Sequence, residues 1–271
     1  MKKGFYGLNE SENRHKKVIV SLTSHPPRLS TIHICLKSLL RQTYKPDKLI
    51  LYLCDDVKES DLKPNVLGLV KHGLTIERVP QNLKPHKKYY YAMSQYPNEI
   101  IITVDDDLKY SKKLIEILIN SYEKHPNIIS ASRVHKIMLD KNGDLKPYKK
   151  WKYNYREKDA LTPSFQLFAT GGAGTLYPPN CMDEELFNIE NITNLCLNAD
   201  DIWLKIMQIR KKTKVVLANR KLFERYILIL RSQKTALMYS NRLMNANDLY
   251  LENVMQAYNI VPADFFDISG A

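Results

Sequence analysis

Short apolar runs alternating with helical periods constrain this chain most. "KVIVSL" (17–22), "KLILYL" (48–53), "LTIERV" (74–79), "IIITV" (100–104) and "NIISASRV" (127–134) have the length and β-branched content of buried strands. Between the first two, Ile32, Cys35, Leu36, Leu39 and Leu40 recur at helical spacing. "HKKYYYAMSQYP" reads as a short helix ended at Pro97. "SKKLIEILINSYEKH" reads as an amphipathic helix with Leu114, Ile115, Leu118, Ile119 and Tyr122 on one face and Ser111 as its cap. This alternation predicts an α/β fold, a mostly parallel sheet with helices on both faces. Ligands of such sheets sit beyond the carboxyl ends of the strands, and "TSHPPR", "CDD" and "DDD" fall there.

Past residue 134 the pattern changes. Residues 135–170 are polar and aromatic, and Trp151, Tyr153 and Tyr155 suit sugar stacking and core packing equally. "ATGGAGTLYPP" (169–179) predicts a Gly-rich turn. "NADDIWLKIMQIRKK" (198–212) predicts a helix with Ile202, Ile206 and Ile209 along one side, and "KVVLA" a strand. From Gln233 onward, Leu237, Leu243, Leu249 and Val254 fit a last helix. No linker or internal repeat interrupts the chain. One domain over 1–271 is expected, with 1–16 as an N-terminal extension and 220–271 as a mainly helical segment.

Four cysteines without a C-x-x-C pair imply neither a zinc site nor a disulfide framework. The first residues lack the apolar core of a signal peptide, and the longest apolar run, "YILIL", is too short to span a bilayer. A soluble, cytoplasmic protein is expected. The net charge of +12, from 41 basic and 29 acidic residues, suits nucleic acid, an anionic membrane face or a phosphate-bearing substrate, and also a plain solvated surface. No nucleic-acid-binding pattern accompanies the lysines, and the acidic clusters would repel phosphate, so a basic nucleic-acid-binding protein is the weaker alternative.

Three adjacent carboxylates, Asp105, Asp106 and Asp107, repel one another and require positive compensation. In an extended chain residues i and i+2 point the same way, so Asp105 and Asp107 are expected to share one site while Asp106 points elsewhere. Mg²⁺ or Mn²⁺, held by one or two carboxylates and phosphate oxygens, fits that pattern. A second acidic pair, Asp200 and Asp201, opens a helix. One of them, Asp200, is expected to cap it, leaving Asp201 to act as a general base. Between the two acidic sites lies "GGAG", three of the nine glycines in the chain, suited to close backbone approach to a ligand.

This ordered set resembles the GT-A glycosyltransferases, most closely family-2-like enzymes that build bacterial capsule and surface polysaccharides. The resemblance runs from about Lys17 to about Asn219, and the tail "SQKTALMYSNRLMNANDLY" is similar to a capsule-type subgroup. It implies a GT-A (Rossmann-like) fold and a sugar transferred from a nucleotide-sugar, a UDP-sugar, to a saccharide or lipid-linked acceptor. Asp105 and Asp107 then match the D-x-D metal ligands, with Asp105 and Asp106 on the nucleotide-sugar side. Asp201, with Asp200 beside it, matches the base of inverting members. Thr23, Arg28, Asp55, Asp56 and Lys88 match donor contacts, and Gly171, Gly172 and Ala173 match the acceptor-side wall. Contact with the anionic inner leaflet of the membrane would follow from a lipid-linked acceptor. A retaining transferase remains an alternative, since it would not need Asp201 as a base. So does a sugar nucleotidyltransferase, although "TSHPPR" lacks the glycines of its phosphate loop.

Overall fold

The computed structural model describes residues 6–10, 13–229 and 246–267. Its main sheet has seven strands in the order β10-β6-β9-β4-β1-β2-β3. These are β1 (Val18–Thr23), β2 (Lys48–Cys54), β3 (Leu74–Val79), β4 (Ile100–Thr103), β6 (Ile129–Ala131), β9 (Thr175–Tyr177) and β10 (Val215–Leu217). Every pairing is parallel except those of β9, which lies antiparallel between β4 and β6. Two small antiparallel pairs join β5 (Leu108–Lys109) to β11 (Ile227–Leu228) and β7 (Val134–Lys136) to β8 (Leu167–Ala169).

Period-2 alternation explains why the strands read as unbroken apolar runs. Val18, Val20, Leu22, Leu49, Leu51, Ile100 and Ile102 face one core, with α1 (Ile32–Leu39) and α4 (Leu114–Lys124) packed over them. Ile19, Ile50, Tyr52 and Ile101 face the other, which includes side chains of α3 (Lys87–Gln95) and α6 (Asp200–Arg210). Both faces are covered, so both sets must be apolar. The remaining helices are α2 (Pro64–Leu67), α5 (Ile189–Leu195) and α7 (Ala246–Ala257).

Four local expectations are corrected. The stretch 169–179 is not only a turn: it holds the end of β8, a short 3-10 turn over Gly171–Ala173 and the inserted strand β9. Ser111 does not cap α4, which starts at Leu114 with Lys113 at its N-cap; Ser111 Oγ accepts only a long bond from the Lys113 N–H. The apolar side of α6 is not a stripe, because Ile202 through Ile209 are all buried, Lys205 and Gln208 included. In α7, Val254 is buried but Leu249 is 56% exposed, while Leu237 and Leu243 lie outside the described residues. Trp151 belongs to the core, its indole N–H donating to the Lys146 carbonyl.

Candidate active site

The parallel strands β1, β2 and β4 end at one edge of the sheet, and their following loops carry the polar clusters. After β1 the chain turns through a 3-10 segment at Pro26–Arg28, where proline sits at the first helical positions and needs no N–H partner. This turn carries Arg28 inward. Its guanidinium lies 2.5 Å from Asp106 Oδ1 and 3.4 Å from Asp107 Oδ2, and Ser24 Oγ donates to Asp106 Oδ2 at 2.5 Å.

β4 ends at Thr103, so the three aspartates fall in a turn and not in a strand. The alternation rule therefore does not apply. Asp106 and Asp107 share Arg28, while Asp105 is held apart: its Oδ1 accepts from Lys88 Nζ at 2.8 Å. Asp106 is buried, and the Asp105 side chain keeps 40% of its surface open.

Lys88, on the first turn of α3, is 2% exposed. Its ammonium lies 2.8 Å from Asp105 and 2.8 Å from Asp200 Oδ2. It therefore joins the acidic turn after β4 to the first turn of α6. Burial alone would lower its pKa, but Asp105 and Asp200 hold it well above the ordinary lysine value. Burial likewise pushes Asp105 up, yet Lys88 holds it below the usual carboxylate range.

Asp200 does not cap α6. The N-cap is Ala199, without a side-chain bond, and Asp200 spends its carboxylate on Lys88. Asp201 Oδ1 accepts the Gly171 N–H at 2.8 Å. Burial first, then the neighbouring Asp200, push its pKa up to about 7, with Lys88 and the Gly171 N–H pulling the other way. A carboxylate poised there can take a proton at neutral pH.

The glycines close the gap between the two acidic groups. A Cβ on Gly172 would fall within the Asp105 carboxylate, and one on Gly171 would meet Asp201 Oδ1 at 3.2 Å. At 172 only glycine leaves the carboxylate its room, while at 171 a methyl would crowd Asp201. The Asp105 N–H and Tyr110 hydroxyl both donate to the Gly172 carbonyl, and Thr103 Oγ1 donates to that of Gly171. Ala173 is buried, with its carbonyl bonded by Ser132 Oγ.

Thr23 Oγ1 donates to the Tyr52 carbonyl at the end of β2. Asp55 and Asp56 are exposed beyond β2; the Asp55 N–H donates to the Val79 carbonyl, and neither carboxylate bonds or pairs with a described residue. They are not drawn into the carboxylate cluster.

Several partners escaped the sequence pattern. Cys35 Sγ approaches the Asp105 carbonyl at 3.2 Å. Arg133 Nε donates to Thr170 Oγ1, and its charge reaches Asp105. His86 is wholly buried between the Tyr89 hydroxyl and the Cys196 carbonyl, and burial lowers its pKa to about 4, so it is neutral and structural. Nothing in the spacing of these residues marks them.

Among the described residues no three His, Cys, Asp or Glu side chains converge as a metal cage. A divalent cation in nucleotide chemistry needs none, since water and phosphate oxygens complete its shell. The donor set fits such an ion: carboxylate oxygens are hard ligands, and the Asp105 side chain is 40% open beside Lys88.

The class of protein that carries this mostly parallel sheet and its acidic turns is given by its family: a glycosyltransferase. The chain belongs to glycosyl transferase family 2, whose family model matches residues 25–177. No curated protein matches the chain significantly. Among solved structures, S. aureus TarS 1-349 aligns at 17% identity and TM-score 0.44, over 74% of this chain and 58% of that one. CMP:2-keto-3-deoxy-manno-octonic acid synthetase complexed with CTP aligns at 10% identity and TM-score 0.41, over 74% of this chain and 88% of that one. Neither likeness bears on substrate.

Proposed function

We propose that this glycosyltransferase is an inverting, metal-dependent enzyme that moves a sugar from a UDP-sugar to a saccharide or lipid-linked saccharide. A single domain carries both half-sites. The observation that carries this reading is the juxtaposition of Asp105 and Asp201 through Lys88, Asp200 and the Gly171–Gly172 backbone. Asp105 stays ionised and partly open toward the donor side. Asp201 accepts the proton of the acceptor hydroxyl as the new glycosidic bond forms, with the sugar passing through an oxocarbenium-like transition state. Gly171 aims the base through its N–H, and Gly172 lets backbone and sugar approach the donor carboxylate. Arg28 fixes Asp106 and Asp107.

Asp105, the open carboxylate of the turn, would hold Mg²⁺ or Mn²⁺ together with phosphate oxygens, while Arg28 keeps Asp107 with Asp106; the ion when bound would offset charge on the departing diphosphate. A donor screen with purified protein, reading released nucleotide with Mn²⁺ and after chelation, tests donor and metal together. NMR of the product anomer tests inversion. Release that survives chelation unchanged, or a product of retained configuration, refutes the corresponding part.

The reaction we place in bacterial surface-polysaccharide synthesis, on the cytoplasmic side of the membrane. No helix among the described residues is long and apolar enough to cross a membrane. Association through the basic surface is therefore read by flotation with anionic vesicles at low and high salt.

A further inference from the structure

Lys205 follows Asp201 by one helical turn on α6 and shares its face. It is 3% exposed, and an ammonium buried that far needs polar partners. Its Nζ donates to the Phe165 carbonyl at 2.5 Å and to the Leu167 carbonyl at 2.9 Å. Carbonyls alternate along this stretch: that of Gln166 accepts the Ile137 N–H, and those on either side of it turn toward α6. Lys205 thus satisfies carbonyls that β7 does not reach. Burial lowers its pKa to about 7, and Asp267 opposes the drop. Asp267 is itself held by Ser164 Oγ and Lys214 Nζ, each at 2.7 Å.

Both ends of the contact that aims the base hang on this ammonium. Asp201 Oδ1 accepts the Gly171 N–H at 2.8 Å. Asp201 belongs to the helix that carries Lys205, and Gly171 follows β8 after Thr170. The tie from Lys205 to β8 fixes how far α6 stands from the strand that delivers Gly171. A small cavity of about 10 Å³ lies beside the same two elements. Asp201, Lys205, Gln208 and Tyr177 give it a polar lining, and Ala169 and Val215 an apolar one. A space of about 10–15 Å³ takes one water molecule, provided that polar partners surround it. Lys205 has three N–H bonds and uses two of them on the carbonyls. Gln208 Nε2 donates to the Thr213 carbonyl, which leaves Oε1 as an acceptor.

We propose that Lys205 is a positioning residue for the base, acting through the Phe165 and Leu167 carbonyls and through one water molecule held in this cavity against Asp201. This rests on the reading of Asp201 as the general base. The ammonium keeps α6 in place against β8, and the water meets the carboxylate oxygen that Gly171 does not hold. Asp201 is also faced by Asp200 on its own helix, Lys88 from α3, Asp105 from the turn after β4 and Tyr177 from β9. Lys205 is faced by Asp267 from the segment after α7. None of these groups is altered by a change at 205.

The test compares the full-length wild type with Lys205→Met, which removes charge and hydrogen bonds, and Lys205→Gln, which keeps an amide donor without the charge. Leu251→Ala, in the core where α7 packs, controls for lost stability alone. Lys205→Met is expected to lower kcat by roughly 10–100-fold with the donor KM nearly unchanged. Its acid limb of kcat/KM should move up by roughly half a unit, because the Gly171 N–H lowers the Asp201 pKa and that alignment is lost. Lys205→Gln should recover part of kcat and keep a raised limb, since its charge is gone. Leu251→Ala should melt lower with kcat and limb in place. A high-resolution crystal structure of the wild type should show a water within hydrogen-bond distance of both Lys205 Nζ and Asp201. An unmoved acid limb in Lys205→Gln overturns the inference, whether or not the methionine variant folds, and so does a wild-type crystal without that water. Asp201→Asn is read alongside. Full turnover there sinks the base itself, whereas lost turnover there with wild-type behaviour at 205 sinks the positioning role alone.

Discussion

Replacing Lys88 by methionine removes one charge and little volume from a site that is 2% exposed. Two carboxylates lose their partner at 2.8 Å each. Breaking a buried ion pair from one side costs about 3–5 kcal/mol, and the openness of Asp105 argues for the lower end, about 3 kcal/mol. For a chain of this size that is a fall of roughly 6–12 °C in melting temperature. The Lys88 pKa is raised in the folded state, so its contribution is present below the ordinary lysine value and lost only as pH climbs through the folded one. Asp105 is depressed, so its share persists above its ordinary value and is lost as pH falls through the folded one. The difference in melting temperature should therefore be flat from about pH 5 to 6 and widen as pH rises through 7, where Asp201 ionises without Lys88 beside it. The informative readout is the acid limb of kcat/KM. Asp201 must be ionised to act, its pKa is about 7, and Lys88 is one of the groups pulling it down. Without Lys88 the limb moves to higher pH by roughly one unit or more. Lys88→Arg, which keeps the charge, should return the limb toward its wild-type place even where stability is not restored. A folded Lys88→Met enzyme with an unmoved acid limb would refute the coupling of Lys88 to the base.

Asp201→Asn should lower turnover by about 10²–10⁴ while keeping its bond to the Gly171 N–H. Because the folded pKa of Asp201 lies above its unfolded value, its ionisation costs stability that grows as pH rises toward 7; the Asn variant should gain about 2–4 kcal/mol at pH 8 and nothing at pH 4, read by denaturant unfolding. Asp105→Asn should cost ~10²–10³ in nucleotide release. It also removes a charge that raises Asp201, so any residual activity should show its acid limb at lower pH, opposite to Lys88→Met. Gly172→Ala places a methyl within the Asp105 carboxylate and should abolish donor binding in calorimetry while circular dichroism stays native. Arg28→Lys keeps the charge but loses the fork that reaches Asp106 and Asp107, and should weaken donor affinity by roughly 10–100-fold.

The parallel strands were legible because both of their faces are buried, which writes each one as a continuous apolar run. β9 was not: three residues inside a Gly-rich stretch carry no period, and their place between β4 and β6 is set by partners distant in sequence. Helix α6 showed an isoleucine stripe, yet Lys205 is buried too, satisfied by the carbonyls of Phe165 and Leu167 that no local pattern announces. In the candidate site the residue types were readable and their pairing was not. Strand alternation placed Asp105 with Asp107, but the strand stops at Thr103 and the turn places Asp107 with Asp106 instead. Arg28 finds Asp106 across 78 residues, a contact only the folded sheet creates.

A basic chain can place three aspartates together because the fold brings cations to them from two sides. Arg28 arrives from the loop after β1 and Lys88 from α3, and each serves two carboxylates. Beyond these pairs, a proton or a ligand can relieve the crowded carboxylates. Asp201 shows the proton route: next to Asp200, it holds its proton to about pH 7. Asp105 shows the ligand route, being both held ionised by Lys88 and 40% open. Lys88 touches the open carboxylate and the neighbour of the protonated one, so charge arriving at the donor side is felt at the base without any movement of the backbone. That shared electrostatic account, more than any single motif, is what makes the two acidic clusters one site.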